Sequence, residues 1–377
     1  MHNFASILII GIQLGSIYAL IALGYTMVYG VLKLINFAHG DVYMVGAYAG
    51  LFGVFLCGTW LPAHLHILSL LPSPLGAVVV LLVAMACCAL LGFIIEQAAY
   101  KPLRQRSAWI PPAVFVGAAV AYVCYEIAGI YKQADAVRIG VGVLAWLLVA
   151  ALLYAAQRGN RPAMSTRLTA LITAIGVSLF LENFGQLKQI FSADTRFFPP
   201  NVTGAAQNVH IAGASIPTQT FLIFTVSIVL VVLLNLIITR TKIGKAVRAV
   251  SYDIDAAALM GINTDRVISF TFALGAALAG AAGVMVTALT GTQFTPTVGI
   301  MPGMKAFVAA VLGGIGNLPG AMLGGLIMGL AETLVVAYGP AHGIPSTYRD
   351  AVAFLLLIAI LLVRPAGLLG KLQAEKV

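Results

Sequence analysis

The polar side chains that interrupt apolar runs are the residues of this sequence best suited to chemistry. His39 and Asp41 stand two positions apart in a break between two apolar segments. An imidazole beside a carboxylate can relay protons inside a membrane. The same two residues can instead cap a helix end near the cytoplasmic surface, where backbone groups lack partners. We favour the capping role.

Two charged residues in the second half pose a similar choice. Lys305 begins a short apolar segment, where its ammonium can face an anionic carboxylate or extend to the outer membrane interface. The sequence does not decide between these two positions. Glu332 lies deeper in an apolar run, so we expect it to face the interior of a helix bundle and to have a partner there.

Breaks within apolar segments are candidates for a path through the membrane, because a broken helix exposes amides and carbonyls that can bind a solute. A zwitterionic solute suits such a lining, since half-helix ends offer partial charges of both signs. The breaks lie near Asn36–Asp41 and at residues 313–320, in opposite halves of the chain, which is typical of an internal repeat around a transport path. The predicted path residues are Asn36, His39, Asp41, Lys305, Gly313, Gly314, Asn317 and Glu332.

Motifs of known catalytic sites are missing from the sequence. There is no G-x-x-x-x-G-K-[ST] phosphate loop, no H-E-x-x-H and no G-x-S-x-G. The six histidines are scattered, and the four cysteines have no C-x-x-C spacing and read as small buried hydrophobes. The sequence therefore predicts a protein that is not an enzyme and that binds no metal or cofactor itself.

The composition determines the class. Of the 377 residues, 61% are hydrophobic and only 9% are charged, and the mean hydropathy is +1.01. Several apolar runs approach the ~20 residues that a helix needs to cross a bilayer. We predict an all-α polytopic membrane protein with about ten membrane segments, including discontinuous or re-entrant helices, in one transmembrane domain spanning residues 1–377.

The net charge of +9 is distributed over short gaps between apolar runs. The basic clusters lie at residues 101–106, 158–167, 240–248 and 364–376. Such clusters mark cytoplasmic loops, so the C-terminus is predicted inside and the N-terminus outside. Because the basic residues form no single patch, a nucleic-acid partner is not expected, and the partner surface is the lipid bilayer.

The longest polar interruption is residues 240–262, which contain the pattern Asp-Ala-Ala-x-x-x-Gly from Asp255 to Gly261. Arg248 precedes it. Ala256, Ala257 and Gly261 give a short helix a face almost free of side chains, which lets the backbone of another protein come close. The alternative is an amphipathic helix lying on the membrane surface.

This pattern resembles the loop by which ABC-importer permeases dock on their ATPases, where Glu normally stands in place of Asp255. Further motifs make the chain resemble, over nearly its whole length, the LivH-type permeases of branched-chain amino acid ABC importers. The resemblance is strongest in five segments: residues 24–30 (Gly-Tyr-Thr-Met-Val-Tyr-Gly), 35–41 (Ile-Asn-Phe-Ala-His-Gly-Asp), 171–176 (Leu-Ile-Thr-Ala-Ile-Gly), 303–307 (Gly-Met-Lys-Ala-Phe) and 311–321 (Val-Leu-Gly-Gly-Ile-Gly-Asn-Leu-Pro-Gly-Ala).

The resemblance implies a subunit of the bacterial inner membrane that imports branched-chain amino acids. Its implied partners are a second, LivM-like permease, two ABC ATPase subunits that hold ATP and Mg²⁺, and a periplasmic binding protein. The resemblance also assigns Arg248, Asp255, Ala256, Ala257 and Gly261 to ATPase docking.

Residues 108–165 depart from the family pattern, because an extra hairpin of two apolar segments stands there. An even number of crossings leaves the downstream topology unchanged. Two other functions stay open: the same machine importing urea or short amides, and an ion-coupled secondary transporter that uses His39, Asp41 and Glu332. A passive channel is a further alternative.

Overall fold

A computed structural model describes residues 4–55, 73–101, 167–188, 190–198, 208–211 and 214–370, with isolated positions between 137 and 148. These residues are almost entirely helical. The helices are α1 (Phe4–Leu32), α2 (His39–Phe55), α3 (Ser73–Ile95), α4 (Arg167–Gly185), α5 (Thr218–Arg240), α6 (Lys242–Tyr252), α7 (Ile254–Leu259), α8 (Thr264–Val284), α9 (Ile300–Gly313), α10 (Leu318–Tyr338) and α11 (Arg349–Val363). The strands β1 (Asn208–Ile211) and β2 (Ala214–Pro217) form an antiparallel hairpin before α5.

Shorter turns extend three of these helices. α3 and α8 continue as single π-helical turns, Glu96–Tyr100 and Met285–Leu289. The 3₁₀ turns Gly339–His342 and Ser346–Tyr348 join α10 to α11. Residues 339–348, which consist mainly of these two turns, therefore connect α10 to α11.

Six helices among the described residues are long and apolar enough to cross a membrane. Two shorter apolar helices, Leu171–Gly185 and Ile300–Gly313, accompany them. The all-α polytopic class is thus confirmed. The predicted hairpin of residues 108–165 lies outside the described residues, apart from the isolated helical positions between 137 and 148.

Two compact units make up the chain. The first consists of residues 1–93 and 181–377, and it contains the candidate sites described below. The second consists of residues 94–180, where Glu96 and Tyr100 are buried. The single transmembrane domain inferred from the sequence stays a prediction.

Helices α1 and α10 pack closely because both present glycines at the contact. A Cβ atom added at Gly329 of α10 would lie 2.2 Å from the Gly15 nitrogen of α1, and one added at Gly15 would lie 2.8 Å from the Leu326 Cα. Small residues at helix contacts are the usual way in which membrane helices bring their backbones together. Gly11 and Gly15 of α1 both lie at this close contact.

Helix α8 packs against α1 and α2 through further glycines. A Cβ atom at Gly46 of α2 would lie 2.4 Å from the Gly280 Cα of α8, and a Cβ atom at Gly24 of α1 would lie 3.0 Å from the Gly275 oxygen. Every residue of α8 from Gly275 to Val284 is buried. Helix α8 is therefore a central element of the first unit.

A valine at Gly329 should disrupt this packing. Its Cβ would overlap the Gly15 backbone, which cannot move without shifting α1, and overpacking of this kind costs about 3 kcal/mol or more. Gly30, also on α1, is the matched control, since a Cβ there meets nothing within 4 Å. We expect Gly329→Val to lower the thermal unfolding midpoint of the solubilised protein sharply. An equal effect of Gly30→Val would contradict this explanation.

Candidate translocation and docking sites

The second predicted break separates α9 from α10. Gly314 and Gly316 have φ angles of +105° and +92°, which favour glycine. The side chain of Asn317 then caps α10, its Oδ1 accepting a hydrogen bond from the Gly320 nitrogen at 3.2 Å. Gly, Asn and Pro in this order therefore produce a sharp turn between two helices, as the sequence predicts.

The C-terminal segment Arg364–Gly370, here called the strap, binds this turn. The Leu368 nitrogen donates to the Leu312 oxygen at 2.9 Å, and the Leu369 nitrogen donates to the Gly313 oxygen at 3.0 Å. The Asn317 side-chain amide donates to the Leu369 oxygen at 2.7 Å. The backbone oxygen of Gly313 and the amide of Asn317, which we had predicted to bind solute, are thus engaged within the chain.

Backbone geometry explains why the strap fits so closely. Gly367 has a φ of +80°, and a Cβ atom there would lie 2.5 Å from the Gly314 Cα. Sequence reasoning missed this contact because the two segments are some fifty positions apart. The sequence does indicate a change of chain direction here, because residues 364–367, Arg-Pro-Ala-Gly, follow α11 directly and contain proline and glycine.

Substitution of Asn317 should separate its two roles. Asn317→Asp keeps an oxygen that can cap α10 but loses the donor to Leu369, whereas Asn317→Ala loses both bonds. We expect Asn317→Asp to cost about 1 kcal/mol and Asn317→Ala about 2 kcal/mol of stability. Thermal unfolding of the two variants, measured against the wild type, checks this order. No loss in Asn317→Asp would mean that the bond to the strap contributes nothing, and equal losses in both variants would mean that the cap of α10 contributes nothing.

The first break lies between α1 and α2, and its polar residues are buried. Asn36, His39 and Asp41 are 5%, 2% and 3% exposed. His39 is the first residue of α2 and Asp41 belongs to its first turn, so both stand at a helix start, and their capping role stays a prediction. The His39 imidazole lies over Gly24, where a Cβ atom would be 2.3 Å from its Nε2. The break between α1 and α2 is therefore buried among the packed helices.

Aromatic rings surround this break. The Tyr25 ring meets the His39 imidazole edge-on, with centroids 4.7 Å apart. Tyr25 and Phe37 each approach Phe307 of α9, with centroids 6.1 Å and 6.0 Å away. These contacts join the first break to α9, the helix that precedes the second break.

A buried charge cluster links four helices. It consists of Tyr18 on α1, Lys305 on α9, Glu332 on α10 and Asp350 on α11. The Tyr18 hydroxyl donates to Glu332 Oε2 at 2.7 Å, and the Lys305 ammonium hydrogen-bonds to Glu332 Oε1. Lys305 Nζ also lies 2.6 Å from Asp350 Oδ1 and 5.9 Å from the centre of the Tyr18 ring.

This cluster confirms that Glu332 faces the interior of the helices and has a partner. Lys305 is 5% exposed and pairs with carboxylates of its own chain, so it does not extend freely to a membrane interface. Sequence reasoning missed Tyr18 and Asp350. The sequence offered one indication that the cluster exists: Lys305 and Glu332 are isolated opposite charges in apolar helices, and such charges must be paired when they are buried.

The loop of residues 240–262 folds into two short helices. Thr241 caps α6, accepting a bond from the Gly244 nitrogen at 3.0 Å, and Asp253 caps α7, accepting one from the Ala256 nitrogen at 2.9 Å. The Arg248 guanidinium donates to the Ile238 oxygen at the end of α5. Arg248 thus fixes the loop to the membrane helix before it.

The exposed face of this loop differs from the predicted one. Asp255, Ala256 and Gly261 are exposed, but Ala257 is only 4% exposed and faces its own chain. The first turn of α7 packs that side inward, so Ala257 is not part of an exposed face of small residues, and its docking role stays a prediction. Three large apolar side chains that sequence reasoning missed are exposed to solvent on this loop: Tyr252, Leu259 and Met260 are 92%, 89% and 82% exposed.

Comparison with known proteins decides the family. The family model described as the permease component of the branched-chain amino acid transport system matches residues 7–139 and 112–361. The permease protein LivH of Escherichia coli K12 is 37% identical over 97% of this chain and 96% of its own length. The chain belongs to this permease family.

Other similar proteins are also permeases. The BraD permease protein of Pseudomonas aeruginosa, named for high-affinity branched-chain amino acid transport, is 36% identical over 100% of this chain and 99% of its own. The autoinducer 2 import permease LsrC of Klebsiella pneumoniae is 32% identical over 34% of this chain and 37% of its own. No solved structure matches the permease.

Membership of the family bears on the enzyme question and on the alternative modes of transport. The permease is a transport subunit and not an enzyme, in agreement with its lack of catalytic motifs. The ion-coupled secondary transporter and the passive channel are not favoured, because the full-length relatives are components of dedicated amino acid transport systems. Among its described residues, no group of three or more His, Cys, Asp or Glu residues is placed to hold a metal.

Proposed function

We propose that this permease is the membrane subunit of an ATP-driven importer of branched-chain amino acids in the bacterial inner membrane. The observation that carries the proposal is similarity along 97% of the chain to proteins named for this transport. The cargo assignment rests on those names. Urea and short amides remain the cargoes against which it must be tested.

The docking site for an ATPase subunit would be the exposed face of α7 and its flanks. Tyr252, Leu259 and Met260 expose large apolar surfaces, and aromatic and Met side chains are enriched where proteins bind one another. Asp255, Ala256 and Gly261 lie exposed on the same segment. Arg248 would act indirectly, since it ties α6 to the end of α5. ATP and Mg²⁺ would be held by the partner.

The orientation follows from the basic residues. Lys242, Lys245 and Arg248 lie on α6, and Arg364 follows α11. Basic loops are retained in the cytoplasm, which supports placing the docking loop and the C-terminus there. The opposite ends of the helices would then meet a periplasmic binding protein. A second, LivM-like permease would complete the membrane part.

A path through this subunit would use the polar residues of the two breaks. Asn36, His39 and Asp41 at the first break and Lys305 in the buried charge cluster are the side chains that favour a zwitterionic solute. Gly313, Gly314 and Asn317 can take part only if their contacts with the strap open. Glu332 would balance the charge of Lys305.

Residues 108–165 would be an addition to the common permease fold. The family model matches in two pieces, 7–139 and 112–361, and the change from one piece to the other falls inside this segment. The two pieces overlap at residues 112–139, so the departure from one continuous match falls where the inserted hairpin is proposed. Lipid or the second permease would cover it.

Co-purification tests the assembly. The tagged permease, solubilised from its native host, should retain an ATPase and a second permease, identified by mass spectrometry. Recovery of the permease alone, from membranes that contain the predicted ATPase, would overturn the importer proposal. Uptake of leucine, isoleucine and valine, with urea and acetamide as competitors, would then decide the cargo.

A further inference from the structure

The two carboxylates that contact Lys305 are held very differently. The side chain of Glu332 is 3% exposed, and it accepts hydrogen bonds from both Lys305 and Tyr18. The side chain of Asp350 is 36% exposed, and its 2.6 Å contact with Lys305 is an ion pair without a directed hydrogen bond. Glu332 is therefore the fixed partner of Lys305, and Asp350 is the weakly held one.

Asp350 also has an alternative partner and lies in a helical turn with little buried surface. The Arg349 Nε lies 3.7 Å from Asp350 Oδ1, and the Arg349 side chain is 58% exposed. Both residues lie in the first turn of α11, where Ala353 is the one buried residue of the helix. Little buried surface would be lost if this turn moved, and Asp350 would keep a positive neighbour after leaving Lys305.

Departure of Asp350 would leave Lys305 with a free side. An ammonium has three donors, of which Glu332 takes one. The vacated position is that of the Asp350 carboxylate, whose side chain is 36% exposed while the Oδ1 that faces Lys305 is buried, and a buried cation strongly favours an anion there. A carboxylate from elsewhere would restore the original arrangement of one ammonium between two carboxylates.

We propose that Lys305 binds the carboxylate of an amino acid solute at the position that Asp350 occupies in this structure. Asp350 then acts as an internal substitute that keeps Lys305 paired when no solute is present. The inference rests on the proposed function, and it identifies the ligand class as molecules with a free carboxylate. Urea and amides lack that group and would not replace Asp350.

Substitution of Asp350 gives the sharpest test. Asp350→Asn removes the competing charge while keeping the side-chain size, so free leucine should stabilise this variant at about fivefold lower concentration than the wild type. That factor corresponds to about 1 kcal/mol, a typical value for a partly exposed ion pair. The measurement is thermal unfolding of the solubilised transporter complex, without binding protein, over a series of leucine concentrations.

Leucinamide is the matched ligand control, because it keeps the side chain and the ammonium group but lacks the carboxylate. It should stabilise neither protein. A variant carrying both Lys305→Gln and Glu332→Gln removes the fully buried ion pair and leaves only Asp350 charged, with Arg349 as its positive neighbour, and it should lose the response to leucine. Stabilisation by leucinamide, or a leucine response in this double variant, would overturn the proposal.

Two further results would also count against it. If Asp350→Asn prevented assembly of the complex, Asp350 would be a fixed structural partner and could not leave during transport. If the wild-type and Asp350→Asn complexes responded equally to leucine, Asp350 would not compete with the solute. ATP-driven leucine uptake by the wild type, measured in parallel, separates failure of this inference from failure of the proposed function.

Discussion

Glutamate at Leu259 or Met260 should detach the ATPase while leaving the permease folded. Both side chains are more than four-fifths exposed, so a charge there costs the isolated permease little. In a docked interface the same charge would be buried without a partner, and losing a central apolar contact typically costs about 2 kcal/mol or more. We expect ATPase binding to weaken at least about 30-fold. The amount of ATPase that co-purifies with the variant measures this directly.

The matched control is Ile344→Glu. Ile344 is 46% exposed and lies between the 3₁₀ turns that join α10 to α11, away from the docking loop in sequence. Its substitution should leave ATPase binding unchanged. Equal loss in both variants would mean that added charge acts through general instability, and no loss at Leu259 would remove α7 from the docking site.

The structure also shows which substitutions in this loop would mislead. Gly261 has a φ of +82°, so a side chain there would strain the backbone even though a Cβ meets nothing within 4 Å. Ala257 faces its own chain, so a larger residue would disturb α7 before it met a partner. Bulky substitutions at these two positions therefore test folding as much as docking.

Lys305→Met should be the most destabilising single substitution in the buried charge cluster. It leaves Glu332 ionised and almost fully buried, with only the Tyr18 hydroxyl as a described partner. Removing one member of a buried ion pair typically costs about 3–5 kcal/mol. Glu332→Gln should cost less, because Lys305 keeps Asp350. Thermal or denaturant unfolding of the solubilised protein measures the order.

The double variant Lys305→Met with Glu332→Gln completes the cycle. With both charges gone, most of the stability should return, since a buried pair contributes little net stability over neutral groups of similar size. A double variant as unstable as Lys305→Met alone would show that the cluster acts through packing and not through charge.

Apolar run lengths and helix-breaking residues were enough to predict the broad architecture. The turn at Gly313–Asn317 and the start of α2 at His39 follow from local sequence, because glycine, asparagine and proline have strong conformational preferences. The burial of Glu332 follows equally well, since a lone carboxylate in an apolar run is costly unless it is paired.

Contacts between distant segments could not be predicted in this way. The strap at Leu368 and Leu369 meets α9 only in the folded chain. Asp350 joins Lys305 across two helices, and nothing in its own neighbourhood marks it as a partner. The side of α7 that packs inward could not be predicted for a related reason: a helix of six residues carries too little periodicity to show which side is buried.

ATP-driven uptake in reconstituted vesicles tests the central claim most directly. Vesicles containing this permease with its second permease and ATPase subunits would receive the binding protein outside and ATP inside, and labelled leucine would be followed. We predict accumulation that requires both ATP and the binding protein and that isoleucine and valine inhibit. Leucine accumulation by the permease alone in an ion gradient, or transport of urea in preference to leucine, would contradict the account.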